Sequence, residues 1–175
     1  MGWSENQNND NDDGKNNVTI PRRGGRMRIY MDFCCLFRPF DEDTSQDRIR
    51  REAEAVSAIV RLCKKEGWKI LASEMIDIEM LNATNLSKTK RVRDFFPFSN
   101  ERVILTAVAK SRAVFFRENG VDTFDSFHLA LAEIAEADVF LTTDDRLLKT
   151  AKKIGVKIRT DNPESWIEGV TKNGY

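Results

Sequence analysis

The chain contains a single histidine, His128. Acid–base catalysis by a pair of histidines is therefore excluded. Net charge is also absent, because 28 Lys and Arg residues balance 28 Asp and Glu. No general positive field draws such a chain to a polyanion, so any contact with one has to be local. Cysteine is scarce and odd in number, at Cys34, Cys35 and Cys63. That pattern fits neither a disulfide framework nor zinc-ligand spacing. It fits small thiols in a reducing cytosol, and a cytoplasmic location is the expectation. No apolar run approaches the roughly 20 residues of a membrane span, and no membrane association is expected. The first twenty residues are polar, unlike a secretory leader.

The 175 residues present suggest one domain, long enough to bury a core without disulfides. Residues 1–26 read as a separate, disordered tail. Met1 to Asn17 is rich in Asn and Asp and has little apolar surface to bury. Pro21-Arg-Arg-Gly-Gly-Arg26 follows as a basic linker, and Met27 is a candidate translation start. The folded unit is expected over residues 27–171.

Within it, short apolar runs alternate with helical patterns. Strands are predicted at Arg28–Asp32, Trp68–Ala72, Asp138–Thr143 and Val156–Arg159. Arg38 to Ser45 reads as a loop. A helix over Gln46–Glu66 puts Ile49, Ala53, Val56, Ile59, Val60 and Cys63 on one face and stops at Gly67. Ser73 is a plausible cap for a short helix, and a basic helix runs from Ser87 to Phe95. Phe95 to Phe98 reads as an apolar turn. Asn100 is read as the cap of a longer helix ending at Glu118. Helices at Thr123–Ala137 and Arg146–Ile154 follow, and Asn162-Pro163 opens the last one. This alternation predicts an α/β class with a parallel sheet.

In an open parallel sheet, ligands bind beyond the carboxyl ends of the strands. Asp32 ends the first run and Asp144 follows the run ending at Thr143. Asp125 falls in the first turn of a helix, and Glu79 lies on the helix after Ser73. Carboxylates gathered together repel, and a hard oxygen-seeking cation such as Mg²⁺ or Mn²⁺ relieves that repulsion. Metal ions on carboxylates activate water and neutralise phosphoryl oxygens. The four acids therefore point to metal-dependent cutting of phosphodiesters. Phosphoacceptor receiver domains also gather acids at strand ends, but they need an early Asp pair, and here Asp32 is followed by Phe-Cys-Cys.

Three segments carry a family resemblance. Arg28-Ile-Tyr-Met-Asp-Phe-Cys-Cys-Leu-Phe-Arg-Pro-Phe-Asp41 resembles the opening of a subgroup of PIN-domain proteins. Asp125-Ser-Phe-His-Leu-Ala-Leu-Ala132 is similar to their aspartate-led helix. Phe140-Leu-Thr-Thr-Asp-Asp-Arg-Leu-Leu-Lys149 is similar to their last acidic strand end. The resemblance covers about residues 27–167. It implies a three-layer α/β/α fold and a Mg²⁺- or Mn²⁺-dependent ribonuclease. Many small members are toxins of VapBC-type pairs, so it also implies an RNA substrate, an antitoxin that masks the acids, and a homodimer. Carried over by position, the metal and catalytic acids are Asp32, Glu79, Asp125 and Asp144, with Glu74 and Asp77 as competitors for the second place.

Other residues complete this expectation. His128, three residues after Asp125, shares its helical face and can bond an acid. Cys34, Thr142 and Asp145 sit beside the acids in sequence, and Asp145 is a candidate to cap the helix after Asp144. Arg38 is a candidate phosphate fork, with Asp41 or Glu42 as its alternative ion-pair partner. Arg91 and Arg93, in the cluster with Lys88 and Lys90, are candidate RNA-backbone contacts. The sequence departs from the subgroup at Phe33, Cys34 and Phe37. Those departures motivate a second reading, a PIN fold that binds RNA or protein without cutting.

Overall fold

The computed structural model describes residues 26–43 and 45–172. The expected disordered tail lies outside the described residues, apart from Arg26. Five strands are described: β1 (Arg28–Met31), β2 (Lys69–Ser73), β3 (Phe98–Val103), β4 (Val139–Leu141) and β5 (Arg159–Asp161). The helices are α1 (Phe33–Phe37), α2 (Asp47–Glu66), α3 (Glu74–Asn82), α4 (Leu86–Phe95), α5 (Ala107–Glu118), α6 (Thr123–Ile134), α7 (Asp145–Ile154) and α8 (Pro163–Lys172). A 3₁₀ turn covers Arg38–Phe40.

The strands form one sheet in the order β3-β2-β1-β4-β5, and every pairing is parallel. The chain winds outward from β1 to β3, then returns to the other side of β1 for β4. Parallel crossovers are right-handed, so α2 covers one face of the sheet while α5, α6 and α7 cover the other. The reversal puts a crevice between the carboxyl ends of β1 and β4, the place where such sheets bind ligands.

Burial explains why β1 and β4 occupy the centre. Ile29, Tyr30, Met31, Phe140 and Leu141 are fully buried, as strands covered on both faces must be. Their register pairs Tyr30 with Phe140 and Met31 with Leu141, and the rings of Tyr30 and Phe140 stack 5.7 Å apart. On the α2 face, α2 packs on α8 and Trp68 meets Trp166 edge-on. Gly67 ends α2 with a φ of 69°, a left-handed turn that suits glycine.

Two expectations need correction. Asn100 does not cap a helix: it lies inside edge strand β3, and Thr106 caps α5 by accepting from the Ala109 amide. Only the ends of β3, Phe98 and Val103, touch the core, so the strand shows no two-residue alternation. The last strand is Arg159–Asp161 rather than Val156–Arg159; Val156 and Ile158 pack on the core from the segment before it. The stretch after Asp32, to which the sequence assigns no element, is helical, because the Asp32 carboxylate accepts from the Cys35 amide at 2.8 Å and starts α1.

Candidate active site

Strand geometry brings the first and last acids to the crevice. The Asp32 amide donates to the Leu141 carbonyl at 3.2 Å, extending the β1–β4 ladder by one residue. The next residue on the β4 side is Thr142, whose side chain lowers the proton affinity of the Asp32 carboxyl. The Thr142 hydroxyl accepts from the Asp144 amide at 3.0 Å. Asp144 then caps α7, its Oδ1 accepting from the Arg146 and Leu147 amides at 2.7 and 3.1 Å. The expectation that Asp145 would take the cap is therefore corrected. Asp145 pairs instead with Arg48 at 2.8 Å. Both cap bonds use one oxygen of Asp144, and Asp144 and Asp125 line a common crevice with Gly120 and Leu147.

Glu79 arrives from α3 by a chain of buried hydrogen bonds. Its Oε2 stands 2.5 Å from His128 Nε2. His128 Nδ1 is 2.9 Å from the Tyr30 hydroxyl, which is 2.7 Å from Ser73 Oγ. Ser73 in turn accepts from the Ile76 amide and caps α3. One proton arrangement satisfies every member: Nε2–H donates to Glu79, Nδ1 accepts from Tyr30, and Tyr30 accepts from Ser73. Burial pushes the Tyr30 phenol above its ordinary range, so it remains a donor. The rival acids are committed elsewhere. Glu74 accepts from the Leu105 amide at 2.6 Å, and Asp77 pairs with Arg93 and Arg102.

The acids feel one another. Asp32 is almost fully buried, and its carboxyl is held above the usual range, first by desolvation and also by the charge of Glu79. The Thr142 side chain and the Cys35 amide offset part of that shift. Asp125 is pushed up to about 6, first by burial, then by the charges of Asp32 and Asp144. Cys34 is exposed on α1 and lies in the field of Asp32, Asp125 and Glu79. Phe33 stacks on Phe37 at 4.1 Å.

Among the described residues, no three or more His, Cys, Asp or Glu side chains converge as a ready metal cage. A hydrated cation needs less. Mg²⁺ keeps several waters and is often held by one or two carboxylates. The donor set fits that mode, since all four side chains offer hard oxygen and two of them carry a raised pKa that a cation would relieve.

The expected basic contacts are partly occupied. Arg38 has a partner at each of its three nitrogens: Asp41 at 2.9 Å, the Thr143 hydroxyl at 3.1 Å and Glu52 at 3.0 Å. The Arg38 Nε–Glu52 contact lacks hydrogen-bond alignment and is an ion pair. Arg93 is 3.4 Å from Asp77, and the Arg91 guanidinium lies 4.7 Å over the Phe40 ring. Glu52 and Arg48 are the participants that sequence reading missed. They meet Arg38, Thr143 and Asp145 only through contacts many residues apart in the chain. Their one local signal is their own spacing of four on α2.

Several solved chains are similar to this one, FitAcB and VapBC2 among them. FitAcB from Neisseria gonorrhoeae matches with a TM-score of 0.52 at 14% identity, over 77% of this chain and 97% of that one. The fold is α/β and PIN-like. VapBC2 from Rickettsia felis, solved bound to a DNA fragment from its promoter, matches with a TM-score of 0.47 at 12% identity, over 78% of this chain and 98% of that one. No family model matches the chain. No curated protein matches it either. In the PIN-like fold, the β1–β4 crevice is where Asp32, Thr142 and Asp144 come together.

Proposed function

We propose that this chain is a metal-dependent endoribonuclease, the toxin of a type II toxin–antitoxin pair. One observation carries the reading. At the crevice of a parallel sheet, burial and the charge of Glu79 raise the proton affinity of the strand-end acid Asp32, and burial and the charges of Asp32 and Asp144 raise that of the helix acid Asp125. A structural role does not call for such an arrangement, and burying charges together is costly unless a cation joins them.

In this reading Asp32, Asp125 and Asp144 hold the cation, and Glu79 completes the acidic set with its carboxylate oriented by His128. A bound Mg²⁺ or Mn²⁺ would supply an activated water and neutralise charge on the phosphoryl oxygens. The Cys35 amide holds the Asp32 carboxylate in place, and the α7 cap fixes one oxygen of Asp144. Arg91 and Arg93 on α4 offer local cations for an RNA strand, in a chain whose net charge is zero.

The PIN-like fold and the acids support an antitoxin partner and a homodimer as part of the same proposal. Val108, Val114 and Phe115 on α5, with Leu81 on α3 and Leu86 on α4, expose apolar surface of the kind partners cover. No helix among the described residues is long and apolar enough to cross a membrane.

Purified protein, freed of any small partner, tests the proposal against a mixed RNA pool. Cutting with Mn²⁺ or Mg²⁺ that stops with EDTA is the expected result. Folded protein that cuts under neither cation would overturn it in favour of a binding module.

A further inference from the structure

We infer that Glu52 is a positioning residue for the turn that presents Thr142 and Asp144, acting through a clamp of two arginines on Thr143. The inference rests on the nuclease reading for its functional part and on geometry for the rest.

Thr143 stands between the two residues that reach the crevice. It is gripped at both its hydroxyl and its carbonyl. Arg38 Nη2 donates to its hydroxyl at 3.1 Å, and Arg48 Nη2 donates to its carbonyl at 2.8 Å. The two guanidiniums come from different places, one from the 3₁₀ turn after α1 and one from the start of α2. Both turn to the same counter-charge. Glu52 meets Arg38 Nε at 3.0 Å and Arg48 Nε at 2.8 Å. Its residue is only 1% exposed, so this carboxylate is withdrawn from water and relies on these partners. Asn162, just after β5, adds a contact to Glu52 at 3.3 Å.

The outer arms extend the grip. Arg48 also pairs with Asp145, the first residue of α7, and Arg38 pairs with Asp41. Four segments are thus fastened around one buried carboxylate: the turn after α1, α2, the β4–α7 turn and the end of β5. Of these, the β4–α7 turn carries the candidate catalytic acid. Guanidinium is suited to this task because its planar fork bonds several acceptors at fixed angles. Neutralising Glu52 leaves two arginines without their shared anion, and their hold on Thr143 loosens. The Asp144 amide's bond to Thr142 and the Asp144 cap then lose their common support.

The test uses the full chain and Glu52→Gln, which keeps shape and removes charge. Two readouts are needed. The first is hydrogen exchange of the Asp144 to Leu147 amides against that of β1. Faster exchange confined to the turn is expected, and a folded variant with unchanged exchange there would overturn the clamp. The second is Mn²⁺-dependent cleavage. The Mn²⁺ concentration for half-maximal rate is expected to rise about 10–100-fold, the usual effect of losing an outer support of a metal ligand, with the KM for RNA unchanged. A change in KM alone would overturn the positioning role. If Glu52→Gln does not fold, Thr143→Val decides, since it removes only the hydroxyl that Arg38 holds. Faster turn exchange in that variant supports the clamp, and unchanged exchange overturns it. Wild-type protein that never cuts RNA, while the exchange response appears, would sink the nuclease reading and leave the clamp standing.

Discussion

His128 joins Glu79 to the centre of the sheet: its Nε2 meets the carboxylate at 2.5 Å while its Nδ1 meets the Tyr30 hydroxyl at 2.9 Å. The imidazole is buried, so each bond broken there leaves a polar group with no water to replace the partner. His128→Ala is expected to destabilise the protein by about 2–3 kcal/mol, measured by urea unfolding. Tyr30→Phe should cost less, about 1–2 kcal/mol, because Ser73 keeps its bond from the Ile76 amide. A neutral result for both would mean that the chain from Ser73 to Glu79 does not hold together in solution.

Proton affinity at the crevice sets a pH dependence of known sign. Asp125 rises from 3.8 to about 6, and Asp32 is raised as well. A carboxyl with a raised folded pKa contributes stability that is fully present below its unfolded pKa. That contribution fades as pH climbs through the folded value. Metal-free protein should therefore lose stability between about pH 4 and pH 6 on account of Asp125. Mn²⁺ binds the ionised acids, so its stabilising effect should grow over the same window. Thermal melts across pH with EDTA and with Mn²⁺ check both halves. A Tm increment from Mn²⁺ that is flat from about pH 4 to pH 7 would contradict the account.

The positions of the candidate acids were easier to read from the sequence than the supports around them. Asp32 and Asp144 were legible because each follows a buried apolar run, and such runs mark central parallel strands. α2 was legible from its helical spacing and Gly67. β3 was not, because Ser99 and Asn100 carry turn and cap chemistry while the strand's middle faces solvent. α1 was missed as a five-residue helix whose cap, Asp32, is also a site acid. The assignment of Asp144 and Asp145 was reversed, since adjacent aspartates offer the same cap and only the Arg48 pairing distinguishes them. The Arg38–Glu52–Arg48 clamp was beyond reach. Its bonds to Thr143 join residues 105 and 95 positions apart, and ion pairs leave no periodic trace.

The basic helix α4 should act on RNA and leave stability alone. Lys88 is tied to Asp41 at 2.7 Å, whereas Arg91 and Arg93 are exposed. The Arg93–Asp77 pair is worth only about 0–1 kcal/mol, as exposed pairs are. Arg91→Glu with Arg93→Glu is expected to slow cleavage with the fold intact. The salt dependence of RNA binding should flatten by about 0.7 in log–log slope for each phosphate that the protein no longer neutralises. Unchanged rate and slope would remove α4 from the RNA path.

The acidic centre itself is tested most directly by Asp32→Asn beside the native chain, with one labelled single-stranded RNA and rising Mn²⁺. Asparagine keeps the size of the side chain and an oxygen that can accept from the Cys35 amide, so α1 should still form. The native protein is expected to cut in a Mn²⁺-dependent manner. The variant should stay folded and lose at least about 100-fold of that rate, as removal of a metal-holding or charge-stabilising group does. Equal cutting by both proteins would contradict the account, because the reaction would then not run through the carboxylate at the β1–β4 crevice.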